Sequence, residues 1–362
     1  MSTAPPATGY EVRLVTRPEG LPTVENFAVV EAPLPTPAED EVLVRNLAFR
    51  VSASIRMMIS EGAEAVEGVP FPALGPGDTL AEQAVGEVVV AGRGSGLKPG
   101  DLVSHHLGYR EYAAVPLTGL TRLSGDPTDP DDPTHPTHPA DPTHPTDPIV
   151  HLGHGWTAYA ALTRGVQIRL GDTVFVSGAS GAIGSMAGQI ACLLGAARVI
   201  GSAGSPAKAD RLISGLGYDA VVLRGGGSMA DQLREAAPEG IDVVLDAVGG
   251  EQLAAAIEVA NAGARILVIG ALSGQLATSG TGRTAPVELD SVQLLLKKIT
   301  LRGYSADDDP DALAEWNEKS AQWLRAGEIV FPHTRIKGIE NAPQAIVDTI
   351  GGRHLGTVVV EI

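Results

Sequence analysis

One cysteine in 362 residues, Cys192, leaves no partner for a disulfide within the chain and too few thiolates for a cysteine-rich zinc site. Its neighbours Ile190, Ala191, Leu193 and Leu194 make it read as a buried structural thiol. Positive charge is scarce as well: 26 Lys and Arg against 43 Asp and Glu give a formal net charge of −17. Phosphate backbones and anionic bilayers need clustered cations, and no basic stripe occurs, so neither nucleic acid nor a membrane is an expected partner. No apolar run approaches ~18 residues, and no apolar segment follows positive charge at the amino end; the expected location is the cytoplasm. The 44% hydrophobic content still suffices for a large core, and the length suits roughly two domains.

Glycine, by contrast, is abundant, and its placement after one strand is the strongest signal in the chain. Val174, Phe175 and Val176 read as a buried strand that runs into Gly178-x-x-Gly181-x-x-Gly184, after which 185–194 reads as an apolar helix. A dinucleotide site needs glycine for a tight turn, for close approach to a pyrophosphate and for helix-on-strand packing. The helix amino end then faces the phosphates with unpaired N–H groups. Strands follow at 197–202, 220–223, 242–246 and 264–270, with helices at 206–216, 229–236 and 251–260 between them. That alternation predicts an α/β fold, a doubly wound parallel Rossmann sheet, with ligand beyond the carboxyl ends of its strands. Gly178, Ser202, Asp246 and Gly270 all fall there.

The second strand decides the nucleotide. An NAD site usually carries Asp or Glu at this point, whereas this chain continues Gly201-Ser202-Ala203-Gly204-Ser205-Pro206-Ala207-Lys208 with no carboxylate. Ser202, Gly204, Ser205 and Lys208, with Arg224 after the third strand, suit a 2′-phosphate; the alternative is that the two cations are ordinary solvated charges. NADPH is the expected cofactor. The segment 126–148, with its Asp-Pro and Thr-His-Pro repeats, reads as an extended surface loop, because closely spaced prolines forbid helix and central strand. His135, His138 and His144 within it are too flexible a set for selective metal binding, and no metal site is expected.

Ahead of the glycine turn the chain is β-rich, with Glu41-Val-Leu-Val-Arg-Asn46, Ala84-Val-Gly-Glu-Val-Val-Val90 and Leu97-Lys-Pro-Gly-Asp-Leu-Val103. With Trp156-Thr-Ala-Tyr159, Asp246-Ala-Val-Gly-Gly250 and Gly352-Arg-His-Leu-Gly356-Thr-Val-Val-Val360, this order of motifs resembles medium-chain dehydrogenases/reductases over almost the whole chain. Arg17-Pro-Glu-Gly20, Tyr109-Arg-Glu-Tyr112, Gly204-Ser-Pro-Ala-Lys208 and Leu301-Arg-Gly303 are similar to the zinc-independent prostaglandin reductase and alkenal/enone reductase group. The resemblance implies a β-rich, partly closed, GroES-like barrel from 1–151, an NADP-binding domain at 152–305 and a return to the barrel at 306–362. It also implies a homodimer, a small conjugated substrate, and cofactor contacts from Ser180, Ala182, Ile183, Ala247, Val248 and Ser273 besides the glycines. The Gly-His-Glu motif of the zinc enzymes is replaced by Ala81-Glu82-Gln83, which removes zinc polarisation of an alcohol from the expected chemistry.

The reaction so implied is hydride transfer from NADPH to the β carbon of a conjugated carbonyl. Reductive cyclisation of a polyene in bacterial secondary metabolism, quinone reduction, and NADPH binding without useful turnover remain as alternatives. Tyr109 is the first candidate to stabilise charge developing on the carbonyl oxygen, followed by Arg56 and Tyr304, with His154, His105 and His106 near the cleft. The group's Asp-Pro-Tyr-Met-Arg segment is Ser52-Ala53-Ser54-Ile55-Arg56 here; a tyrosine expected after Ser273 is replaced around Gln275, and an asparagine near His354. Ser54 in place of a tyrosine enlarges the expected pocket.

Overall fold

The computed structural model of the protein describes residues 5–65, 72–92, 94–123, 147–278, 282 and 284–362. The Asp/His/Pro-rich segment up to residue 146, with its three histidines, lies outside them. In chain order the first part holds β1 (Thr8–Leu14), β2 (Phe27–Pro33), β3 (Glu41–Val51), α1 (Ile55–Ile59), β4 (Ala84–Val90), β5 (Leu102–His105), β6 (Tyr112–Pro116) and β7 (Thr121–Arg122). Next come α2 (Gly155–Ala160), β8 (Thr173–Val176), α3 (Gly184–Leu193), β9 (Arg198–Ala203), α4 (Pro206–Gly215), β10 (Ala220–Leu223), α5 (Met229–Ala236) and β11 (Ile241–Asp246). The α/β half continues with α6 (Gly250–Val259), β12 (Ala260–Val268), α7 (Leu272–Gln275), α8 (Ser291–Lys297) and β13 (Thr300–Gly303). The chain closes through α9 (Asp311–Ala326), β14 (His333–Lys337), α10 (Ala342–Ile350) and β15 (Thr357–Glu361).

Strands β8 to β13 form one parallel sheet in the order β10-β9-β8-β11-β12-β13. Val174 and Phe175 on β8, Val199 and Ile200 on β9, and Val243 and Val244 on β11 are fully enclosed. Helices cover both faces, so these strands are apolar throughout rather than alternating. Each large side chain buried this way contributes roughly 1.5–3 kcal/mol. Strand order reverses between β8 and β11, which opens a crevice at their carboxyl ends.

The other large sheet runs β14-β15-β3-β4-β5-β7, with β6 also paired to β3. β3 is its spine: β15 pairs antiparallel with it, Val359 opposite Arg50, and parallel with β14. The carboxyl-terminal strand therefore lies in the barrel sheet and not in the parallel one. α2 and α9 pack at the junction, where Tyr159 meets Trp316 and Trp323 with ring centroids 5.8 and 6.1 Å away. A Cβ on Gly155 would stand 2.1 Å from the Trp316 ring, so only glycine admits this approach.

Two local readings are corrected. Cys192 is exposed, not buried, because it falls on the outer side of α3; its Sγ donates to the Gly217 carbonyl at 3.1 Å. Partial burial, then Asp219 nearby, raise its pKa, so it is no activated thiolate. The fifth strand begins at Ala260 rather than 264, since the chain leaves α6 directly into β12. Among the described residues no helix is long and apolar enough to cross a membrane.

Candidate cofactor and substrate site

The turn after β8 is built for close approach. Gly178 sits at φ +61°, which side chains rarely adopt, and a Cβ on Gly184 would stand 2.5 Å from the Ala179 Cα. The Gly181 N–H donates to the Gly178 carbonyl at 2.9 Å, and the Tyr218 hydroxyl caps the Gly184 carbonyl at 2.6 Å. Ser180, Gly181, Ala182 and Ile183 remain wholly or partly open to the crevice. Behind the turn, the Ser202 Oγ accepts from the Gly178 N–H at 2.8 Å and donates to Gln252 Oε1 at 2.5 Å. Ser202 is 1% exposed, which corrects its expected role: its hydroxyl fixes the glycine turn from inside instead of facing a 2′-phosphate. The strand register turns it toward β8.

At the ends of β9 and β10 the two cations do come together. The Arg224 guanidinium lies over Gly204, where a Cβ would be 3.2 Å from Nη2, and the Arg224 N–H donates to the Ala203 carbonyl at 2.9 Å. Ser205 precedes α4 with no cap bond from its side chain. Lys208, one turn into that helix, has its pKa lowered by burial and then by Arg224. No carboxylate among the described residues pairs with Lys208 or Arg224, so the charge accumulated beside Gly204 and Ser205 suits a phosphate dianion. The Lys208 Nζ donates to the carbonyls of Gly352 at 2.5 Å and His354 at 2.6 Å, and the Gly356 N–H donates to the Ser180 carbonyl at 2.9 Å. The 352–356 loop thus closes over the glycine turn, a clasp the sequence did not reveal.

Across the switch point, Asp246 shapes the second wall. Fully buried, it accepts from Ser177 Oγ at 2.6 Å and from the Gly249 N–H at 2.8 Å, while Ser177 Oγ accepts from the Ala247 N–H at 2.9 Å. Burial raises its pKa against the pull of these bonds. The turn so fixed carries Ala247 and Val248 toward Gly178, whose Cβ would lie 3.1 Å from Val248. Gly270 backs onto the Ala247 carbonyl, 2.9 Å from an added Cβ, and the Ser273 N–H donates to the Val248 carbonyl at 2.9 Å. The Ser273 Oγ is shielded with no partner, an acceptor or donor left for a bound molecule. A dinucleotide fits this cradle: open amides at the glycine turn, cations at one end and a shielded hydroxyl at the other.

The three candidates for chemistry fare differently. Arg56 is fully buried and donates to the carbonyls of Gln275 at 2.6 Å and Ala277 at 3.2 Å, tying α1 to the segment after α7. Tyr109 is fully enclosed among barrel side chains, its ring 4.6 Å from Phe49, and its hydroxyl has no partner. Burial holds its pKa well above the ordinary value. The Tyr304 hydroxyl donates to Asp309 at 2.8 Å, with Arg302 over its ring. All three are thus engaged within the fold, Arg56 and Tyr304 by hydrogen bonds and Tyr109 by packing.

A polar group the sequence did not single out lies between β3 and the chain ahead of β4. Arg50 Nη2 donates to Glu82 Oε1 at 2.7 Å, and both side chains are largely buried, 11% and 5% exposed. Desolvation would raise the Glu82 pKa, but Arg50, Ser52 and the Gln83 N–H bring it down to about 2. His154, at the start of α2, is held down to about 3 by burial and then Arg50, and its Nδ1 is shielded without a partner. His105 is also held near 3, mainly by burial, with its Nδ1 accepting from the Leu107 N–H at 3.1 Å. Among the described residues no group of three or more His, Cys, Asp or Glu gathers in a way that could hold a metal.

This geometry agrees with the family comparisons. Residues 11–123 match the model of an N-terminal domain of oxidoreductase, and residues 182–324 that of a zinc-binding dehydrogenase. An NADPH-dependent curcumin reductase of Escherichia coli is 30% identical, over 96% of this chain and 95% of that protein. A 2-alkenal reductase (NADP(+)-dependent) of Nicotiana tabacum is 30% identical over 89% and 88%. The crystal structure of CurA from Vibrio vulnificus in complex with NADPH superposes with a TM-score of 0.83 at 29% identity, covering 97% of this chain and 98% of that one. The chain belongs to the medium-chain dehydrogenase/reductase superfamily, within its alkenal and enone reductase group.

Proposed function

We propose that this protein is an NADPH-dependent reductase of carbon–carbon double bonds conjugated to a carbonyl. The reading is carried by the Lys208–Arg224 pair beyond the glycine turn, in a strand end that has no carboxylate for an NAD ribose. The curcumin and alkenal reductases among its relatives support the substrate class. Bound NADPH supplies the hydride, and the protein's part is to hold the acceptor face-on in a dry crevice, because hydride transfer needs no acid or base side chain. Arg56 keeps α1 against the 275–277 segment. We assign Tyr109 to the barrel wall and Tyr304, with Asp309, to the edge of the nucleotide-binding half.

The test is steady-state NADPH oxidation with an α,β-unsaturated ketone, using cofactor deuterated at the transferred position. One saturated ketone should form per NADPH, with deuterium on its β carbon. An allylic alcohol as product, or oxidation driven by quinones but by no enone, would overturn the reading.

We also propose a homodimer through β13. That strand is an unpaired edge of the parallel sheet, and α8 beside it exposes Val292, Leu295 and Leu296, the last two by 75% and 73%.

A further inference from the structure

The Arg50–Glu82 pair sets the hydrogen positions of two serines, Ser52 and Ser54. Glu82 Oε1 takes the Arg50 guanidinium at 2.7 Å and the Gln83 N–H at 2.9 Å; Oε2 takes the Ser52 hydroxyl at 2.6 Å. Ser52 and Ser54 are joined in turn, Oγ to Oγ, at 2.6 Å. A carboxylate paired with a guanidinium can only accept, and a hydroxyl has one hydrogen to give. The Ser52 hydrogen therefore points to Glu82, and the Ser54 hydrogen points to Ser52. What Ser54 has left is lone pairs. Its side chain is half-buried and makes no cap bond to α1, which starts at the next residue and reaches across to Gln275 and Ala277 through Arg56. Ser54 thus sits at the amino end of the helix whose Arg56 side chain reaches the segment after α7, with its free lone pairs on a half-buried side chain.

We infer that Ser54 offers substrate a hydrogen-bond acceptor and no donor, so that the preferred substrates are enones that also carry a hydroxyl group. The inference rests on the enone-reductase reading for the chemistry, but the recognition is a property of the serine chain alone. A hydroxyl on the substrate completes the array substrate→Ser54→Ser52→Glu82, in which every hydrogen has an acceptor and the terminal carboxylate strengthens each link. A methyl ether at the same place brings a second acceptor against the Ser54 lone pairs and gives them no donor. Ser52 and Glu82 are positioning residues, since they act only by fixing where the Ser54 hydrogen goes.

The experiment uses a matched pair, a para-hydroxyphenyl enone and its methyl ether, and measures their dissociation constants by calorimetry on the NADP⁺-loaded protein. The hydroxylated ligand should bind roughly tenfold more tightly, as one added hydrogen bond to a polarised acceptor implies. Ser54→Ala should raise its dissociation constant to that of the ether. Ser52→Ala frees the Ser54 hydrogen to turn toward the ligand, so the ether gains a donor and the preference for the phenol should shrink toward parity; a gain in ether binding is something a merely structural serine would not produce. Equal dissociation constants in the unaltered protein, or a preference that survives Ser54→Ala, would overturn the inference. Turnover is read separately: preferential binding of the phenol without NADPH oxidation upholds the acceptor and overturns only the reductase reading.

Discussion

Lys208 does two things at once, and its dual contact sets the expected effect of losing it. The ammonium clasps the Gly352 and His354 carbonyls and lies beside Arg224 at the place suited to a 2′-phosphate. Lys208→Ala should weaken NADPH binding at least tenfold, ~1.4 kcal/mol, and leave NADH binding nearly unchanged. Calorimetric titration with both nucleotides checks this. An equal loss for both would reduce Lys208 to a latch for the 352–356 loop. The Ser202 hydroxyl, expected at the same phosphate place, makes the opposite point, since it is drawn inward by the Gly178 N–H and Gln252.

At the level of elements, β13 and α8 would carry the proposed dimer. An edge strand presents unpaired N–H and carbonyl groups, and a second copy related by a two-fold axis can pair with it while covering the apolar face of α8. Sedimentation at micromolar concentration should give a dimer, and Leu295→Glu with Leu296→Glu should give a folded monomer. A monomeric parent protein would end the proposal. Turn elements, by contrast, act within one chain: Asp246 and Ser177 hold the 247–249 backbone against Gly178, so both walls of the crevice are fixed by buried side chains one residue from the strand ends.

For the whole molecule, His105, His154 and Glu82 push stability in one direction, against the opposite pull of Asp246, whose pKa burial raises. His105 and His154 remain neutral in the fold down to about pH 3, whereas an unfolded imidazole takes up its proton near 6.5. The folded state binds fewer protons between these values, so stability is complete above pH 6.5 and declines as pH falls toward 3. Glu82, at about 2 against an ordinary 4.5, adds the same sign lower down: its contribution is present above pH 4.5 and is lost as pH falls through 2. At 1.4 kcal/mol per pKa unit, His105 alone accounts for about 2 kcal/mol of the loss between pH 7 and 5. Urea unfolding at the two pH values checks this, and His105→Leu should flatten the slope by about one proton. A stability unchanged between pH 7 and 5 would mean that these histidines can charge inside the fold.

The sequence by itself determined the parallel sheet, the glycine turn and the missing carboxylate after β9, because these rest on local rules: apolar runs that form buried strands, glycine where φ must be positive, and residue type at a strand end. It also made the segments of β3, β4 and β5 legible as β-rich, and only the family resemblance implied that they close into a barrel. Tertiary structure decided what each side chain meets. Cys192 turned outward and Tyr109 inward, since helix phase and barrel closure are set by packing that no short segment contains. Lys208 found carbonyls in a loop near the far end of the chain. The Arg50–Glu82–Ser52–Ser54 array exists only because the Arg50 N–H pairs with the Gln83 carbonyl at 2.9 Å and brings two distant segments into one register. A hydrogen bond between such partners depends on ångström-scale placement, which residue spacing along the chain does not encode.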